Sequence, residues 1–142
     1  MQFVRTLTVP APADRVFAYL ADFTTTTEWD PATVRTERLS GTGEVGTRYR
    51  NRSRFMGREA EVDYVVTELD PGRHILLRGE NQSLVAHDDM TVEGDASGAT
   101  VTYAASFDLK GLWKLATPVL APALKRLVDQ GADGLRRTLH TL

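Results

Sequence analysis

Two neighbouring runs of alternating charge lie in the middle of the chain. Residues 47–55 carry an arginine at every second position, and residues 58–66 carry acidic side chains at positions 59, 61 and 63, in the same alternation. A period of two is typical of β-strands. Folding the two runs about Met56-Gly57 brings opposite charges face to face. The predicted pairs are Arg54 with Glu59, Arg52 with Glu61, and Arg50 with Asp63.

This pairing fixes the register of the hairpin and separates its two faces. Opposite charges across a hairpin stabilise it mildly, and a slip of one residue would turn every side chain to the other face. The charged face is therefore the solvated one. The opposite face combines apolar side chains with hydroxyl and amide groups, and this mixed polarity predicts a cavity. Its members are Tyr49, Asn51, Ser53, Ala60, Val62, Tyr64 and Val66.

Composition limits the classes of protein to which the chain can belong. A length of 142 residues, with 42% hydrophobic and 25% charged residues, predicts one globular domain spanning residues 1–142. The net charge is -2, whereas a nucleic-acid-binding protein has an unbalanced basic face, so nucleic acid is not an expected partner. The absence of cysteine excludes disulfides and thiolate chemistry.

No apolar leader or membrane span is visible in the sequence, so we expect a cytoplasmic protein. Arginine outnumbers lysine fourteen to three, which indicates a GC-rich bacterial genome.

The predicted elements follow the order strand, two short helices, six strands, long helix. Residues 3–9 alternate and end at prolines, and helical spacing follows from Ala13 or Asp14 and again over residues 23–29. Strands are predicted over residues 33–39, 47–55, 58–66, 74–80, 84–93 and 100–109, and a loop over 94–98. Consecutive strands joined by short turns pair antiparallel. The expected fold is α+β, with a curved seven-stranded sheet wrapped around the last helix.

The C-terminal helix carries an apolar stripe and two prolines. The stripe consists of Leu120, Leu124, Leu127, Gly131, Leu135 and Leu139. Because Pro118 and Pro122 each remove a backbone donor, we expect a break or kink there and a firm helix from about Pro122.

Extending the strand registers assembles an inner wall with one acidic member. Pairing Met90 with Tyr103 places Asp88 opposite Ala105 and Ala86 opposite Phe107, on the face that also carries Ile75, Leu77, Gly79 and Leu84. A buried carboxylate must be paired, hydrogen-bonded or protonated. Asp88 is therefore a candidate polar anchor or general base. Alternatively, it is bonded to Asn51, Ser53, Tyr64 or Tyr103, or it faces outward.

Other motifs point away from several kinds of chemistry. His87 and Asp88 are adjacent on a strand and so point to opposite faces, which argues against a metal site. The chain has no Gly-x-Ser-x-Gly nucleophile motif and no phosphate-binding glycine loop. No cofactor is expected. Trp113 and its leucine neighbours precede the prolines; they form a mobile gate, a transient membrane contact, or plain packing over the end of the sheet.

The residues resemble a known family over nearly the whole chain. Residues 7–23, followed by Glu28-Trp29-Asp30-Pro31, are similar to the opening of the SRPBCC (START-like) superfamily, in its polyketide cyclase/dehydrase and lipid-transport branch. Gly46-Thr47-Arg48-Tyr49, Val66-Thr67-Glu68 and Gly134-Leu135-Arg136-Arg137 fit the same pattern. The resemblance implies a helix-grip fold that holds hydrophobic or amphipathic small molecules. It carries over no shared catalytic motif.

Three functions remain open from the sequence. The first is a carrier or sensor that binds a small hydrophobic molecule such as a lipid, polyketide or isoprenoid. The second is a cyclase or dehydratase in which Asp88 acts as base and Tyr64 or Tyr103 polarises a carbonyl. The third is a protein-interaction or stress-related domain. The candidate ligand-binding residues are Tyr49, Asn51, Ser53, Tyr64, Leu77, Asp88, Met90, Tyr103, Phe107 and Trp113, and the sequence does not indicate an oligomeric state.

Overall fold

A computed structural model describes residues 1–142 as a curved antiparallel sheet of seven strands. The strands are β1 (Gln2–Val9), β2 (Thr33–Ser40), β3 (Arg48–Phe55), β4 (Arg58–Asp70), β5 (His74–Glu80), β6 (Leu84–Asp95) and β7 (Gly98–Leu109). Their order in the sheet is β1-β7-β6-β5-β4-β3-β2, so the first strand of the chain pairs with the last. The predicted α+β architecture is confirmed.

Three helices accompany the sheet. They are α1 (Ala13–Ala21), α2 (Thr26–Trp29) and α3 (Thr117–Leu139); 3₁₀ segments at Phe23–Thr25 and Gly111–Ala116 precede α2 and α3. The Asp22 carboxylate accepts a hydrogen bond from the Thr24 amide, which caps the first of these segments at 3.1 Å. The two short helices lie between β1 and β2, as the sequence predicts. None of the helices combines the length and apolarity needed to cross a bilayer.

The charged hairpin has the predicted register. Arg54 lies opposite Glu59, Arg52 opposite Glu61, and Arg50 opposite Asp63. The last pair is bidentate, with N–O distances of 2.9 and 3.2 Å. Met56 and Gly57 form the turn with φ angles of 53° and 79°, the left-handed pair that a tight two-residue hairpin requires.

The predicted register of β6 and β7 is also confirmed, because Asp88 faces Ala105 and Met90 faces Tyr103. The strands extend further than expected, and the connection is a two-residue turn at Ala96-Ser97 instead of a five-residue loop. The Asp95 carboxylate accepts hydrogen bonds from the backbone amide and hydroxyl of Ser97, which tightens this turn.

The last helix begins earlier than the prolines predict. It starts at Thr117, not near Pro122, because Pro118 lies in the first turn, where a backbone N–H needs no partner within the helix. Pro122 alone lies inside the helix. Burial nevertheless begins only at Leu124, and no residue from 111 to 123 is buried. The buried stripe consists of Leu124, Val128, Gly131, Ala132, Gly134, Leu135 and Leu139.

Small residues and one ion pair fix the C-terminal half of α3 to the rest of the fold. A Cβ atom added at Gly134 would overlap the carbonyl oxygen of Trp29, and one at Gly131 would lie 3.7 Å from the Asp30 carboxylate. The Arg5 guanidinium on β1 reaches Asp129 at 2.6 Å. These contacts hold α3 and the segment after α2 over the concave face of the sheet.

Candidate functional site

An internal cavity of about 60 Å³ lies where α3 and the α2 segment meet the sheet. Its lining combines polar and apolar side chains from both the strands and the helical segments. The lining residues are Phe23, Thr26, Trp29, Asp30, Asn51, Ser53, Tyr64, Asp88, Tyr103, Phe107, Leu127, Val128 and Gly131.

Asp88 is the central charged group of this cavity. Asp88 pairs with Leu77 on β5 and with Ala105 on β7, and this position on β6 turns its side chain inward. Only 8% of the residue is exposed. Its carboxylate makes no hydrogen bond or ion pair with the protein. Two of the four predicted partners are bonded elsewhere: the Asn51 amide donates to Thr36 Oγ1 at 2.8 Å and to Thr33 Oγ1 at 3.2 Å, and Ser53 donates to Asn51. The cavity therefore contains an acid with free acceptor atoms.

Burial raises the pKa of Asp88 to about 7, and the nearby charge of Asp30 adds to the shift. A carboxyl group with this pKa exchanges its proton near neutral pH. It can hold a proton, release one, or accept a hydrogen bond from a bound molecule.

Asp30 is a second carboxylate in the same cavity, at a position that no strand pattern in the sequence indicates as a site residue. It ends α2 and accepts hydrogen bonds from the Ala32 amide at 3.1 Å and from Thr33 Oγ1 at 2.9 Å. Burial raises the pKa of Asp30, and these two hydrogen bonds partly offset the increase. The available signal was the Trp29-Asp30-Pro31 segment together with two glycines on α3 that leave room for it.

Two tyrosine hydroxyls complete the polar lining. Tyr64 and Tyr103 are both buried, and neither hydroxyl has a hydrogen-bond partner in the protein. Burial, followed by the charge of Asp88, raises both pKa values well above the ordinary value, so both phenols keep their protons. Gly79 makes room for the Tyr64 ring, because a Cβ at that position would lie 2.6 Å from Tyr64 Cε1.

Aromatic rings surround these polar atoms. Phe23 packs on Tyr64 with ring centroids 4.9 Å apart, and Trp29 meets Tyr103 edge-on at 6.0 Å. The Trp29 indole N–H is fully buried and has no acceptor. A buried donor without an acceptor destabilises the folded state by about 1–3 kcal/mol, so the hydrogen-bonding groups beside Trp29 are not all paired.

The structure brings together six of the ten predicted ligand-binding residues. Asn51, Ser53, Tyr64, Asp88, Tyr103 and Phe107 line the cavity. The other four lie elsewhere: Tyr49, Leu77 and Met90 are packed into the core, and Trp113 is 52% exposed. Tyr49 contacts Phe23 at a centroid distance of 5.7 Å, which fills the space that it was expected to face.

Two surface grooves adjoin the cavity on either side of the start of α3. The Lys114 groove, of about 620 Å³, is lined by Met1, Val85, Phe107, Asp108, Leu109, Lys110, Gly111, Lys114 and Thr117. The Met56 groove, of about 290 Å³, is lined by Pro31, Ala32, Arg54, Phe55, Met56, Ala123, Arg126, Leu127 and Gln130. Phe107 borders both the cavity and the Lys114 groove, and Leu127 borders both the cavity and the Met56 groove.

The chemistry available in the cavity is that of two acids and two phenols without a basic side chain. No group of three or more histidine, cysteine, aspartate or glutamate side chains is placed to hold a metal ion. The arrangement can take up or release a proton at Asp88 and donate phenolic hydrogen bonds to a bound molecule.

Known structures share this architecture at low sequence identity. The Zhui aromatase/cyclase from Streptomyces sp. R1128 superposes with a TM-score of 0.84 at 19% identity, covering 98% of this chain and 93% of that one. The protein TTHA0849 from Thermus thermophilus gives 0.82 at 15% identity, with coverages of 98% and 97%. A START superfamily protein from Mycobacterium smegmatis gives 0.78 at 14% identity, with coverages of 99% and 97%. At these identities the likeness establishes the fold alone.

Sequence comparison gives the family directly. No curated protein matches the chain significantly. A family model described as polyketide cyclase / dehydrase and lipid transport matches residues 1–140, which is nearly the full length. This match agrees with the resemblance noted in the sequence and with the START-like neighbours. The chain therefore belongs to the polyketide cyclase / dehydrase and lipid transport family.

Proposed function

We propose that this protein is a soluble, cytoplasmic carrier or sensor that binds a small hydrophobic molecule, such as a lipid, polyketide or isoprenoid, by a polar group. The observation that carries the proposal is Asp88, a buried carboxylate without a protein partner, in a cavity lined by aromatic rings and two unpaired phenols. Leaving such groups unpaired costs stability. A bound molecule that pairs them recovers this cost.

Entry of a ligand requires the cavity to open. A volume of about 60 Å³ holds about two waters, whereas pockets for drug-sized ligands have about 300–1,000 Å³. The Lys114 and Met56 grooves flank residues 111–123, a segment without a buried residue. Because Phe107 and Leu127 border both the cavity and a groove, movement of this segment together with one of these two side chains would join a groove to the cavity. A completely filled interior would favour the protein-interaction alternative instead, and the polar cavity speaks for the binding function.

A transient membrane contact belongs to the same proposal. The exposed large apolar side chains of the segment are Leu112, Trp113, Leu115 and Val119, with exposures of 84%, 52%, 80% and 67%. Tryptophan beside aliphatic residues is typical of interfacial membrane anchors. Sedimentation with phosphatidylcholine vesicles, comparing the native chain with Trp113→Ser, tests this contact, and equal sedimentation of the two chains would exclude it.

The binding function is tested by native mass spectrometry of protein taken from cells and by titration with the neutral apolar dye Nile red. We expect a co-purifying small molecule, or saturable dye binding that Gly131→Leu abolishes by filling the cavity. Asp133→Ala, on the exposed face of the same helix, is the control and retains binding. Absence of both a co-purifying molecule and dye binding would contradict the proposal.

A catalytic role is the second candidate, and the pKa of Asp88 favours it. A general base is most effective when its pKa lies near the working pH, and the pKa of Asp88 is about 7. In a cyclase or dehydratase, Asp88 would remove a proton next to a carbonyl whose oxygen accepts a hydrogen bond from Tyr64 or Tyr103. A synthetic poly-β-ketone thioester tests this activity. Unchanged turnover by Asp88→Asn would rule out the mechanism.

A further inference from the structure

The ionisable side chains that line the cavity carry charge of one sign only. Among all the residues that line it, Asp30 and Asp88 are the ionisable acids, and there is no lysine, arginine or histidine. The arginines of β3 point to the other face of the sheet, where Arg50, Arg52 and Arg54 pair with acids of β4. A molecule in the cavity therefore meets negative charge without a compensating cation.

Asp88 also has its acceptor atoms free. It is more than nine-tenths buried, it lines the cavity, and it has no hydrogen bond or ion pair. Asp30 differs, because Ala32 and Thr33 already satisfy part of its carboxylate. The free carboxylate is thus the group on which a ligand's polar end would rest.

These two observations select the charge of the ligand. A fatty acid or other carboxylate would add a third negative charge to a buried site without a cation, and burying uncompensated charge is costly. An ammonium group supplies the missing positive charge and offers donors to Asp88. Aromatic faces attract the same cation, and Phe23, Tyr64 and Tyr103 line the cavity.

We propose that the ligand is an amphipathic amine whose protonated nitrogen binds Asp88, and that the cavity excludes carboxylates. This inference rests on the proposed binding function and specifies its ligand class. The cavity of about 60 Å³ has room for the ammonium head group. The hydrocarbon part leaves past Phe107 or Leu127 into one of the two grooves.

The pH dependence follows from the groups that face Asp88. Asp30 after α2, Tyr64 on β4 and Tyr103 on β7 are the titratable ones; β3, β5 and α3 present no charged side chain to it. Burial raises the pKa of Asp88 to about 7, whereas a simple alkylamine, like lysine, stays protonated to about pH 10. Raising the pH from 6 to 8 ionises Asp88, so affinity for an amine rises, by about tenfold. Affinity for a carboxylate would not rise.

Isothermal titration calorimetry with 1-octylamine, 1-octanol and octanoate at pH 8 tests the inference. These probes have the same chain and differ in the head group. We expect octylamine to bind at least about tenfold more tightly than octanol, and octanoate to bind weakest. Asp88→Asn loses this preference and keeps octanol binding within about twofold. Asp89→Asn, the next residue on the strand and on the outer face, is the control and behaves as the native protein.

The possible outcomes distinguish a failure of the amine inference from a failure of the proposed binding function. Binding of octanol or octanoate without a preference for the amine would overturn the amine inference alone. Binding of none of the three would overturn both the inference and the small-molecule function. A native protein whose octylamine affinity falls between pH 6 and pH 8 would also overturn the inference, whatever the variant does.

Discussion

Asp88 combines two properties that seldom occur together in a strand residue. The alternation of β6 forces its side chain to the inner face, and no neighbouring side chain pairs with it. An unpaired charge at such a depth destabilises the fold unless the group is protonated. Its raised pKa is the expected response, and it makes the stability of the whole protein depend on pH.

The free energy of unfolding should therefore decrease as pH rises from about 4 to about 7. In this range the unfolded chain has lost the Asp88 proton, whose ordinary pKa is 3.8, while the folded protein retains it until about pH 7. The folded state then binds more protons, so raising the pH favours unfolding. The contribution of Asp88 amounts to up to about 4 kcal/mol. Urea unfolding at pH 4.5, 6 and 7.5 measures it.

The control for this pH effect is a pair of substitutions. Asp88→Asn should remove the decrease, because the amide does not titrate, and should stabilise the protein at pH 7.5. Asp108→Asn, which is exposed on β7, should leave the pH profile as it is. Identical profiles for the native protein and Asp88→Asn would show that Asp88 titrates normally.

Gly79 determines where the Tyr64 ring lies. A methyl group at this position would come within 2.6 Å of Tyr64 Cε1 and 2.7 Å of Val62 Cγ1. Gly79→Ala should therefore destabilise the protein by about 1–3 kcal/mol, although alanine has the better strand propensity. Urea midpoints check the loss, and near-UV circular dichroism reports the displaced tyrosine. Arg78→Ala, the outward-facing neighbour, should change stability by less than about 0.5 kcal/mol.

The β3–β4 hairpin explains why so much of the sheet is predictable from the sequence. Each strand carries charge at alternate positions, and the observed register places Arg50, Arg52 and Arg54 opposite acids. Once that face is known to be outside, the inner positions of the following strands follow from short turns and period two, which one irregularity in β4, between Val66 and Glu68, interrupts. The inward position of Asp88 comes from this chain of registers.

The position of Asp30 in the cavity and the first residue of α3 cannot be predicted from strand alternation. Asp30 ends a helix of four residues, where no alternation indicates which way a side chain points. Its place in the cavity depends on α3 lying close to Trp29, a contact between distant parts of the chain. The proline pattern placed the start of α3 five residues too late, because a proline within the first turn costs a helix little.

Two glycines on α3 offer a matched test of this close approach. Replacing glycine by alanine inside a helix gains up to about 1 kcal/mol when the site has room. Gly131 has room, since its nearest neighbours lie at 3.7 Å, whereas a methyl group at Gly134 would overlap the Trp29 carbonyl. Gly131→Ala should stabilise the protein, and Gly134→Ala should destabilise it by about 1–3 kcal/mol. Thermal and urea unfolding of both variants measure the difference, and equal effects would contradict the packing of α3 on Trp29.

The molecule as a whole consists of a firmly packed part and one loosely attached segment. From Leu124 onward α3 buries an apolar stripe, and Arg5 holds it to β1. Residues 111–123 bury nothing, lie between the Lys114 and Met56 grooves, and contain the proline that interrupts the hydrogen bonding of the helix. The loosely attached segment thus borders the two grooves, whereas the part of α3 that lines the cavity, at Leu127, Val128 and Gly131, belongs to the firmly packed half.

Native-state amide exchange should resolve the two halves of this single helix. Local opening needs little free energy where few apolar contacts are lost, so the amides of Ala121 and Ala123 should exchange by opening of their segment alone. Those of Val128 and Ala132 should exchange only through global unfolding, at least about tenfold more slowly, which corresponds to about 1.4 kcal/mol or more. Nuclear magnetic resonance at low urea concentrations distinguishes the two, because urea accelerates exchange in proportion to the surface that opening exposes, and global unfolding exposes far more than opening of one segment. Equal protection and equal urea dependence along α3 would mean that the helix opens as one unit, and ligand entry past residues 111–123 would then require unfolding of the core.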